Sequence, residues 1–314
     1  MRNRLKIFSG SAHPDLAKAI CDYLDLPLGK MDVQRFKNDN TFVKIRENVR
    51  LCDCFVVQSS CPPVNHGLME LFIIMDALMR ASARSITVVM PYFAYSRSDK
   101  KDQPRISITA KLVADLLETA GADRVITMDL HAEQIQGFFA FPVDQLLAAP
   151  VLCGYFQELG LANVVAVAPD AGSAKRTRYF AKRLNVPLAI LDKRRHGNDD
   201  SSEVLHLIGD VRGHNAIIFD DEVSTGGSML GVVKALQENG AQKIYGAVTH
   251  GILCGNAIEK FRDSQLEELV ITDTVPVGPD KRIPKIKVLS VAHLFGEAIK
   301  RIHDGTSISA LFEH

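Results

Sequence analysis

The sequence has no excess of charge of either sign, because Lys and Arg total 37 and Asp and Glu also total 37. A chain without a broad basic field is a poor partner for nucleic acid or an anionic membrane surface, although a local basic cluster can still bind a small anion. The sequence also lacks any apolar run near the ~18 residues that a transmembrane helix requires. We therefore expect no nucleic acid and no membrane among its partners.

Paired metal-binding cysteines are absent as well, since none of the six cysteines forms a C-x-x-C motif. Cys52 and Cys54 lie in a strand-like run, where alternation places both on one face. Buried, reduced thiols are therefore a better interpretation than a zinc site. The N-terminal stretch MRNRLKIFSGSAHPD has too short an apolar segment for a signal peptide. These features predict a cytoplasmic protein.

What the sequence does contain is a series of short apolar runs that alternate with amphipathic helical patterns. This alternation predicts the α/β class, with mostly parallel sheets flanked by helices. The length of 314 residues suggests two domains, and two α/β sets of similar size place their division near residues 142–150. We predict an N-terminal domain at 1–146 and a C-terminal domain at 147–314, whose last residues pack back on the N-terminal domain.

The same patterns predict individual elements. The predicted strands are 5–8, 41–45, 54–58, 85–90, 124–130, 164–168, 187–191, 216–219, 243–248, 269–275 and 286–289. The predicted helices are 13–24, 67–80, 109–120, 174–184 and 229–238. The polar segment 196–202 is the clearest candidate for a mobile loop.

The most informative stretch is AIIFDDEVSTGGSM, residues 216–229, in which an apolar run ends in Asp220 and Asp221. A turn of small residues and a helical pattern follow, which predicts a buried parallel strand feeding a helix. N–H groups at such a helix start bind anions, and glycines let a phosphate approach closely. The carboxylates can hold hydroxyls or a metal at the sheet edge. A sugar phosphate fits this combination; the alternative is a capped strand–turn–helix junction without a ligand.

Two further segments place charged residues after strands. In APDAGSAKR, Asp170 follows a strand, and Lys175 and Arg176 fall in the first turn of a helix. Basic residues there oppose the helix dipole unless an anion binds. In LDKRRH, Lys193 and Arg195 occupy alternate positions of an extended segment and can clamp a polyphosphate together. The alternatives are an ordinary strand–helix turn and a solvated charged face.

The segment MDLH ends another strand, and alternation predicts that Asp129 and His131 share one side as part of a magnesium site. Mg²⁺ prefers oxygen ligands over histidine, so a surface histidine is the alternative. RSDKKDQPR, residues 97–105, is too charged to be buried. It indicates either a phosphate-handling lid or a plain solvated loop.

These segments together resemble one family. PYFAYSRSDKKDQPRISITAKLVADLLETAGADRVITMDLHAEQIQGFF is similar to the flexible-loop and metal-site region of ribose-phosphate pyrophosphokinases, and APDAGSAKR, LDKRRHGN and IIFDDEVSTGGSM follow in that family's order. The last of these also resembles the phosphoribosyl-diphosphate-binding motif of type I phosphoribosyltransferases. The resemblance implies two tandem type I phosphoribosyltransferase-like domains. It further implies Mg²⁺-dependent transfer of the diphosphoryl group of ATP to the 1-hydroxyl of ribose 5-phosphate, by a homo-oligomer that is a hexamer or is otherwise built from dimers.

The resemblance also implies roles for residues at matching positions. The implied catalytic pair is Lys193 and Arg195, and the implied metal-associated residues are His131, Asp170, Asp129 and Asp144. The positions implied for ATP are Phe36, Asn38, Asn40, Arg97, Ser98, Asp99 and Asp102. Those implied for ribose 5-phosphate are Asp220, Asp221, Ser224, Thr225, Gly226, Gly227 and Ser228.

Four positions depart from the family pattern. Ser224 stands where a third aspartate is usual, so contacts to the ring hydroxyls can differ. Asn40 and Ser98 replace a usual glutamate and glutamine, which affects the choice of nucleotide, and Ala140 replaces an acidic residue. One alternative function is a non-catalytic regulatory or binding subunit of the same family. Another is a phosphoribosyltransferase acting on a base, which would not need the RSDKKDQPR and MDLH segments.

Overall fold

The computed structural model describes residues 4–195 and 203–311, of which 193–195, 203–205 and 310 are described by their backbone only. The segment 196–202, which the sequence predicts to be a mobile loop, lies outside the described residues. The chain divides into two units. Unit 1 comprises Met1–Leu147, Thr274–Pro276 and Ser290–His314, and unit 2 comprises Ala148–Asp273 and Val277–Leu289.

Strands and helices alternate along the described chain. The strands are β1 (Leu5–Ser9), β2 (Met31–Arg35), β3 (Thr41–Ile45), β4 (Asp53–Val57), β5 (Ser85–Met90), β6 (Arg124–Met128), β7 (Val143–Leu146), β8 (Val164–Ala168), β9 (Leu188–Arg195), β10 (Glu203–Ile208), β11 (Asn215–Val223), β12 (Ile244–Gly251), β13 (Glu268–Thr272) and β14 (Ile286–Leu289). The helices are α1 (Pro14–Leu24), α2 (Val64–Arg80), α3 (Thr109–Thr119), α4 (Ala149–Leu159), α5 (Ala174–Leu184), α6 (Gly227–Glu238), α7 (Ala257–Asp263) and α8 (Ala292–Asp304).

Unit 1 is built around a five-stranded sheet with the order β1-β4-β5-β6-β7, in which every pairing is parallel. The central strands β4, β5 and β6 are almost entirely buried because both faces of the sheet are covered, and every residue of β4 is buried. β2 and β3 form a separate antiparallel hairpin. α8 packs against α1, where a Cβ atom at Gly296 would come within 2.4 Å of the ring of Tyr23. The last helix of the chain is thus part of unit 1.

Unit 2 contains a seven-stranded sheet with the order β10-β9-β8-β11-β12-β13-β14, parallel except for the antiparallel pairing of β10 with β9. Met229 on α6 and Phe261 on α7 join the apolar cluster on one face. On the other face, Phe219 stacks on Phe180 with ring centroids 4.2 Å apart and also contacts Phe156. Both faces of β11 are therefore covered along residues 216–219, which explains the apolar run there.

The α/β class is confirmed, while several bounds differ from the predictions. β11 continues to Val223 and contains the acidic pair, because its pairing with β12 extends to Gly251. The sequence patterns do not predict β2, β7, β10, α4, α7 or α8. The division between the units follows Leu147, and Pro150 lies in the first turn of α4 rather than in a linker. Within the described ranges, each helix is too short or too polar to cross a membrane.

Candidate functional site

The carboxyl ends of β8 and β11 are neighbours at the point where the strand order of unit 2 reverses. β8 is followed along the chain by β9 on one side, whereas β11 is followed by β12 on the other. Open α/β sheets bind ligands in the crevice at such a switch point. Asp170 follows β8, and Asp220 and Asp221 lie in the last part of β11. The fold thus brings three of the predicted site residues to one edge of the sheet.

The turn after β11 has the geometry of an anion site. Gly226 adopts a left-handed φ of +77°, and a Cβ atom there would come within 3.0 Å of the Phe261 ring. Nζ of Lys260 donates to the carbonyl oxygen of Thr225 at 3.4 Å. Among the described residues, no side chain caps the N-terminus of α6, which begins at Gly227. Its first N–H groups are therefore left to solvent or to an anionic ligand.

Ser224, the residue that replaces an aspartate, contacts the segment after β12. Its Oγ lies 3.0 Å from Sγ of Cys254, and the backbone N–H of Cys254 donates to the carbonyl oxygen of Ser224 at 3.0 Å. Thr225, Gly227 and Ser228 are exposed. One side of the turn is thus supported by the protein, while the other side is accessible to a ligand.

Arg176 has a specific partner at the start of α5. Its Nη1 lies 2.8 Å from Oδ1 of Asp221, whose side chain is buried. The anion that compensates for a basic residue at this helix end is thus a carboxylate of the chain itself. Burial and the neighbouring charge of Asp221 raise the pKa of Asp220 well above its ordinary value. A hydrogen-bond donor arriving at this edge would stabilise the charge of the acidic pair.

Asp170 closes the turn between β8 and α5. Its Oδ1 accepts a hydrogen bond from the backbone N–H of Ser173 at 2.7 Å, and Oγ of Ser173 donates to the carbonyl oxygen of Asp170 at 2.9 Å. This contact corresponds to the ordinary strand–helix turn that the sequence also allows. Asp170 nevertheless remains exposed. The residue therefore has a structural role that leaves its carboxylate accessible at the sheet edge.

The carboxyl end of β6 in unit 1 differs from the prediction. β6 ends at Met128, and Asp129 has a φ of +38°, so the strand alternation does not reach His131. The prediction that these two residues share one side of a strand is therefore wrong: Asp129 is buried and His131 is exposed. Asp144 lies within β7 and forms an ion pair with Arg124. In the described ranges, no group of three or more His, Cys, Asp or Glu side chains could hold a metal ion.

Three of the positions implied for ATP, Phe36, Asn38 and Asn40, lie at the tip of the β2–β3 hairpin. Phe36 is 50% exposed, and its ring centroid lies 5.9 Å from that of Phe42. The N–H of Phe36 donates to the carbonyl oxygen of Asn40 at 2.8 Å, and Oδ1 of Asn38 accepts the N–H of Asn40 at 3.3 Å. The hairpin tip therefore presents an aromatic surface on which a planar base can stack.

The other positions implied for ATP lie between β5 and α3. Arg97 and Asp102 are exposed. Oδ2 of Asp99 accepts a hydrogen bond from Nε2 of Gln134 at 2.8 Å, and Oγ of Ser98 donates to Thr109 at 3.4 Å. The segment thus contacts its own unit at both Ser98 and Asp99. It remains compatible with a phosphate-handling loop and with a solvated one.

The implied catalytic pair lies on β9, which continues past Leu191 through Arg195. In the antiparallel register with β10, Lys193 pairs with Leu205 and Arg195 pairs with Glu203. Because this part is described by its backbone, the role of the two side chains stays a prediction.

Two supporting residues, Cys254 and Phe261, have no role in the sequence-based predictions. The small residues Cys-Gly-Asn at 254–256 indicate a turn after a strand. This pattern could have identified Cys254 from the sequence. No local pattern points to Phe261, because only the packing of α7 places its ring under Gly226.

The chain has two α/β units with mostly parallel sheets. In the second unit, an acidic pair is followed by a turn suited to binding a phosphate. These features define the class of type I phosphoribosyltransferase-like proteins. Residues 5–121 match the family described as the N-terminal domain of ribose phosphate pyrophosphokinase, and residues 200–313 match the phosphoribosyl synthetase-associated domain.

Individual relatives agree with this class. A ribose-phosphate pyrophosphokinase of Caldanaerobacter subterraneus subsp. tengcongensis is 52% identical over 311 residues, covering 99% of this chain and 98% of the relative. One from Clostridium perfringens is 49% identical, with 98% of each chain covered. The crystal structure of phosphoribosylpyrophosphate synthetase from Mycobacterium smegmatis is 41% identical, with a TM-score of 0.91 over 96% of this chain and 99% of that chain. The chain belongs to the ribose-phosphate pyrophosphokinase family, as the resemblance predicts, and is a transferase.

Proposed function

We propose that this chain transfers the diphosphoryl group of ATP to the 1-hydroxyl of ribose 5-phosphate, giving 5-phosphoribosyl 1-diphosphate and AMP for nucleotide biosynthesis. The observation that carries the proposal is the junction of β11 and α6, where an acidic pair precedes a helix start that no described side chain caps. The helix start binds the 5-phosphate, while Asp220 and Asp221 bind ring hydroxyls. Relatives that match nearly the whole chain carry the enzyme's name, which favours this function over a regulatory subunit.

Charge neutralisation is the role proposed for Lys193 and Arg195. Phosphoryl transfer depends mainly on positioning and on stabilising the charge of the transferred group, so it needs no protein nucleophile. Two cations on one strand suit that requirement. The hairpin tip at Phe36 and the segment containing Arg97 and Asp102 are proposed to bind the nucleotide.

Mg²⁺ is the proposed cofactor, and the chemistry of the predicted donors fits it. Asp129 in unit 1 and Asp170 in unit 2 each carry carboxylate oxygens, and Mg²⁺ commonly binds through one or two carboxylates together with substrate phosphates. Such binding requires no larger cluster of protein ligands. Asp144 fits less well, because it is already paired with Arg124. When bound with ATP, Mg²⁺ would neutralise part of the phosphate charge; His131 is the remaining residue proposed near it.

We also propose a cytoplasmic homo-oligomer, either a hexamer or another assembly of dimers. None of the six cysteines forms a disulfide bond, which suits a reducing compartment. Light scattering coupled to size-exclusion chromatography would measure the mass of the assembly against the 34.6 kDa chain.

The test of the function is an assay for AMP. The purified chain is incubated with Mg·ATP and ribose 5-phosphate, and AMP and the phosphoribosyl product are quantified together. Reactions with ribose in place of ribose 5-phosphate serve as the matched control, since ribose lacks the group that α6 binds. We expect equal amounts of both products with ribose 5-phosphate and neither with ribose. A regulatory subunit or a base phosphoribosyltransferase would form no AMP. Comparing ATP, ADP, GTP and CTP as donors then defines the nucleotide preference.

A further inference from the structure

The acidic pair at the end of β11 is asymmetric among the described side chains, because the ion pair with Arg176 is formed by Asp221. Nη1 of Arg176 lies 2.8 Å from Oδ1 of Asp221, and the two side chains are 25% and 6% exposed, respectively. An ion pair with so little access to water favours the ionised form of the carboxyl group strongly. The negative charge of the pair is therefore stabilised on Asp221.

The side chain of Asp220 is bonded to the backbone of Asp221. The backbone N–H of Asp221 donates to Oδ1 of Asp220 at 2.9 Å. Two adjacent carboxyl groups repel each other when both are ionised, which favours one shared proton in the pair. Since Asp221 is the member that Arg176 contacts, the proton belongs on Asp220. The raised pKa of Asp220, which results from burial and from the charge of Asp221, agrees with this placement.

We propose that Arg176 is a positioning residue that keeps Asp221 ionised and thereby leaves the shared proton on Asp220. This inference rests on the proposed function of the β11–α6 junction as the ribose 5-phosphate site. The pair then presents two different groups to the sugar: Asp220 can donate a hydrogen bond, and Asp221 can accept one. Each hydroxyl of the sugar ring can both donate and accept a hydrogen bond. One ring hydroxyl can therefore accept from Asp220 while its neighbour donates to Asp221, which fixes the orientation of the ring. A fully ionised pair would offer acceptors only, with two charges repelling each other.

Among the described residues, Asp221 and Arg176 are the charged groups that affect the pKa of Asp220. Glu222 and His250 are partners in the register of β11 and β12, and both are buried. On the neighbouring elements, Lys175 lies at the start of α5, Asp170 follows β8, and Lys234 lies on α6 beyond its first turn. α6 therefore brings no charge to the pair in its first turn.

The experiment compares three variants in the AMP assay over a range of pH. Arg176→Met removes the cation, Arg176→Lys keeps a charge but loses the planar donor group, and Arg178→Met is the matched control at an exposed position of the same helix. We expect Arg176→Met to raise the KM for ribose 5-phosphate by about tenfold to a hundredfold, with the KM for ATP changed less than about twofold. The acid limb of kcat/KM for ribose 5-phosphate should move to higher pH, because Asp221 is protonated more easily without its cation. Arg176→Lys should restore most of the pH profile, and Arg178→Met should match the wild type.

Each outcome decides the matter. If Arg176→Met keeps the wild-type acid limb and KM, or if it weakens both substrates equally without moving the acid limb, the positioning role is excluded. If Arg176→Met does not fold, Arg176→Lys is measured in its place and must show the same changes at smaller size. A wild-type chain that forms no AMP would instead exclude the proposed function. An active wild type with an unmoved acid limb in the variants excludes this inference alone.

Discussion

Nδ1 of His303 on α8 lies 2.8 Å from Oδ2 of Asp53 at the start of β4. The same carboxylate accepts hydrogen bonds from Nε of Arg84 at 2.7 Å and from Oγ of Ser85 at 2.8 Å. Burial alone would raise the pKa of Asp53, but the bonds from Arg84, Ser85 and His303 outweigh it and lower the pKa. The last helix of the chain is thus bonded to the central sheet of unit 1 through a buried carboxylate.

Asp53→Asn should lower the free energy of unfolding by about 1.5–3 kcal/mol at neutral pH, because hydrogen bonds to a charged group are lost. A carboxyl group with a lowered folded pKa contributes stability above its ordinary pKa, and that contribution disappears as the pH falls through the folded value. The difference between wild type and variant should therefore shrink below the ordinary value of 3.8. Urea denaturation from neutral pH down to about pH 3 measures both effects.

The control for this prediction is Asp76→Asn. Asp76 pairs with Arg80 on the surface of α2, and the two side chains are 47% and 74% exposed, respectively. Such pairs contribute about 0.3–0.5 kcal/mol, so this variant should remain close to the wild type. Equal losses in both variants would mean that the contacts of Asp53 have no special weight.

The left-handed turn at Gly226 gives a second prediction. Gly226→Ala should lower the free energy of unfolding by about 1–2 kcal/mol, because a side chain disfavours positive φ and its Cβ would meet the Phe261 ring at 3.0 Å. It should also raise the KM for ribose 5-phosphate, since the turn must shift. Gly231→Ala is the matched control. Gly231 is exposed on α6, and a Cβ atom added there would have no other atom within 4 Å. Within a helix this change should stabilise the protein by about 0.5–1 kcal/mol. If the two variants have the same stability, the turn is not strained by a side chain.

Lys193→Ala should lower kcat by about 100- to 1000-fold, the usual cost of losing one preorganised charge donor. Stability and the KM for ribose 5-phosphate should change little, because the proposed role is stabilisation of the transferred group. Arg194→Ala, at the intervening position of β9, is the control and should keep most of the wild-type kcat. An unchanged kcat in Lys193→Ala would remove this residue from the catalytic machinery. Steady-state rates of AMP formation decide between the two outcomes.

Sequence patterns predict most of the central strands because these strands are buried on both faces. β5 and β8 have the predicted bounds, and their apolar runs need no knowledge of the partner strands. β2 has a mixed polar sequence in a two-stranded hairpin and offers no such signal. α8 was accessible to the same reasoning, since Leu294, Phe295, Ala298 and Ile299 recur at helical spacing and are all buried.

The arrangement of the site depends on contacts that local patterns do not contain. The basic start of α5 indicates an anion nearby, but only the neighbouring positions of β8 and β11 identify it as Asp221. At Asp129, a left-handed backbone ends the alternation that the sequence suggests. Asp144 is an acidic residue of the kind expected in a metal site. The pairing of β7 with β6, however, brings Arg124 close enough to form an ion pair with it. For Arg176 and Asp144 the missing information is the identity of a partner elsewhere in the chain, and for Asp129 it is a local backbone conformation.

Thiol reactivity provides a test of the turn that Cys254 supports. Burial raises the pKa of Cys21 to about 11 and the pKa values of Cys54 and Cys153 to about 12, so these thiols should remain protonated and slow to react. Cys254 is only partly buried, whereas the other five cysteines are buried. A thiol-reactive disulfide reagent should therefore modify one thiol per native chain rapidly, and all six after denaturation.

The rapid thiol should be protected by ribose 5-phosphate, because Sγ of Cys254 lies 3.0 Å from Oγ of Ser224 in the turn proposed to bind that substrate. ATP alone should protect it less. Cys254→Ser should abolish the rapid phase and preserve AMP formation, since a hydroxyl can keep the contact with Ser224. Cys61→Ser, at a buried cysteine, should leave the rapid phase intact. A rapid phase that survives in Cys254→Ser, or one that ribose 5-phosphate does not slow, would separate this thiol from the substrate site and leave the turn without the proposed support.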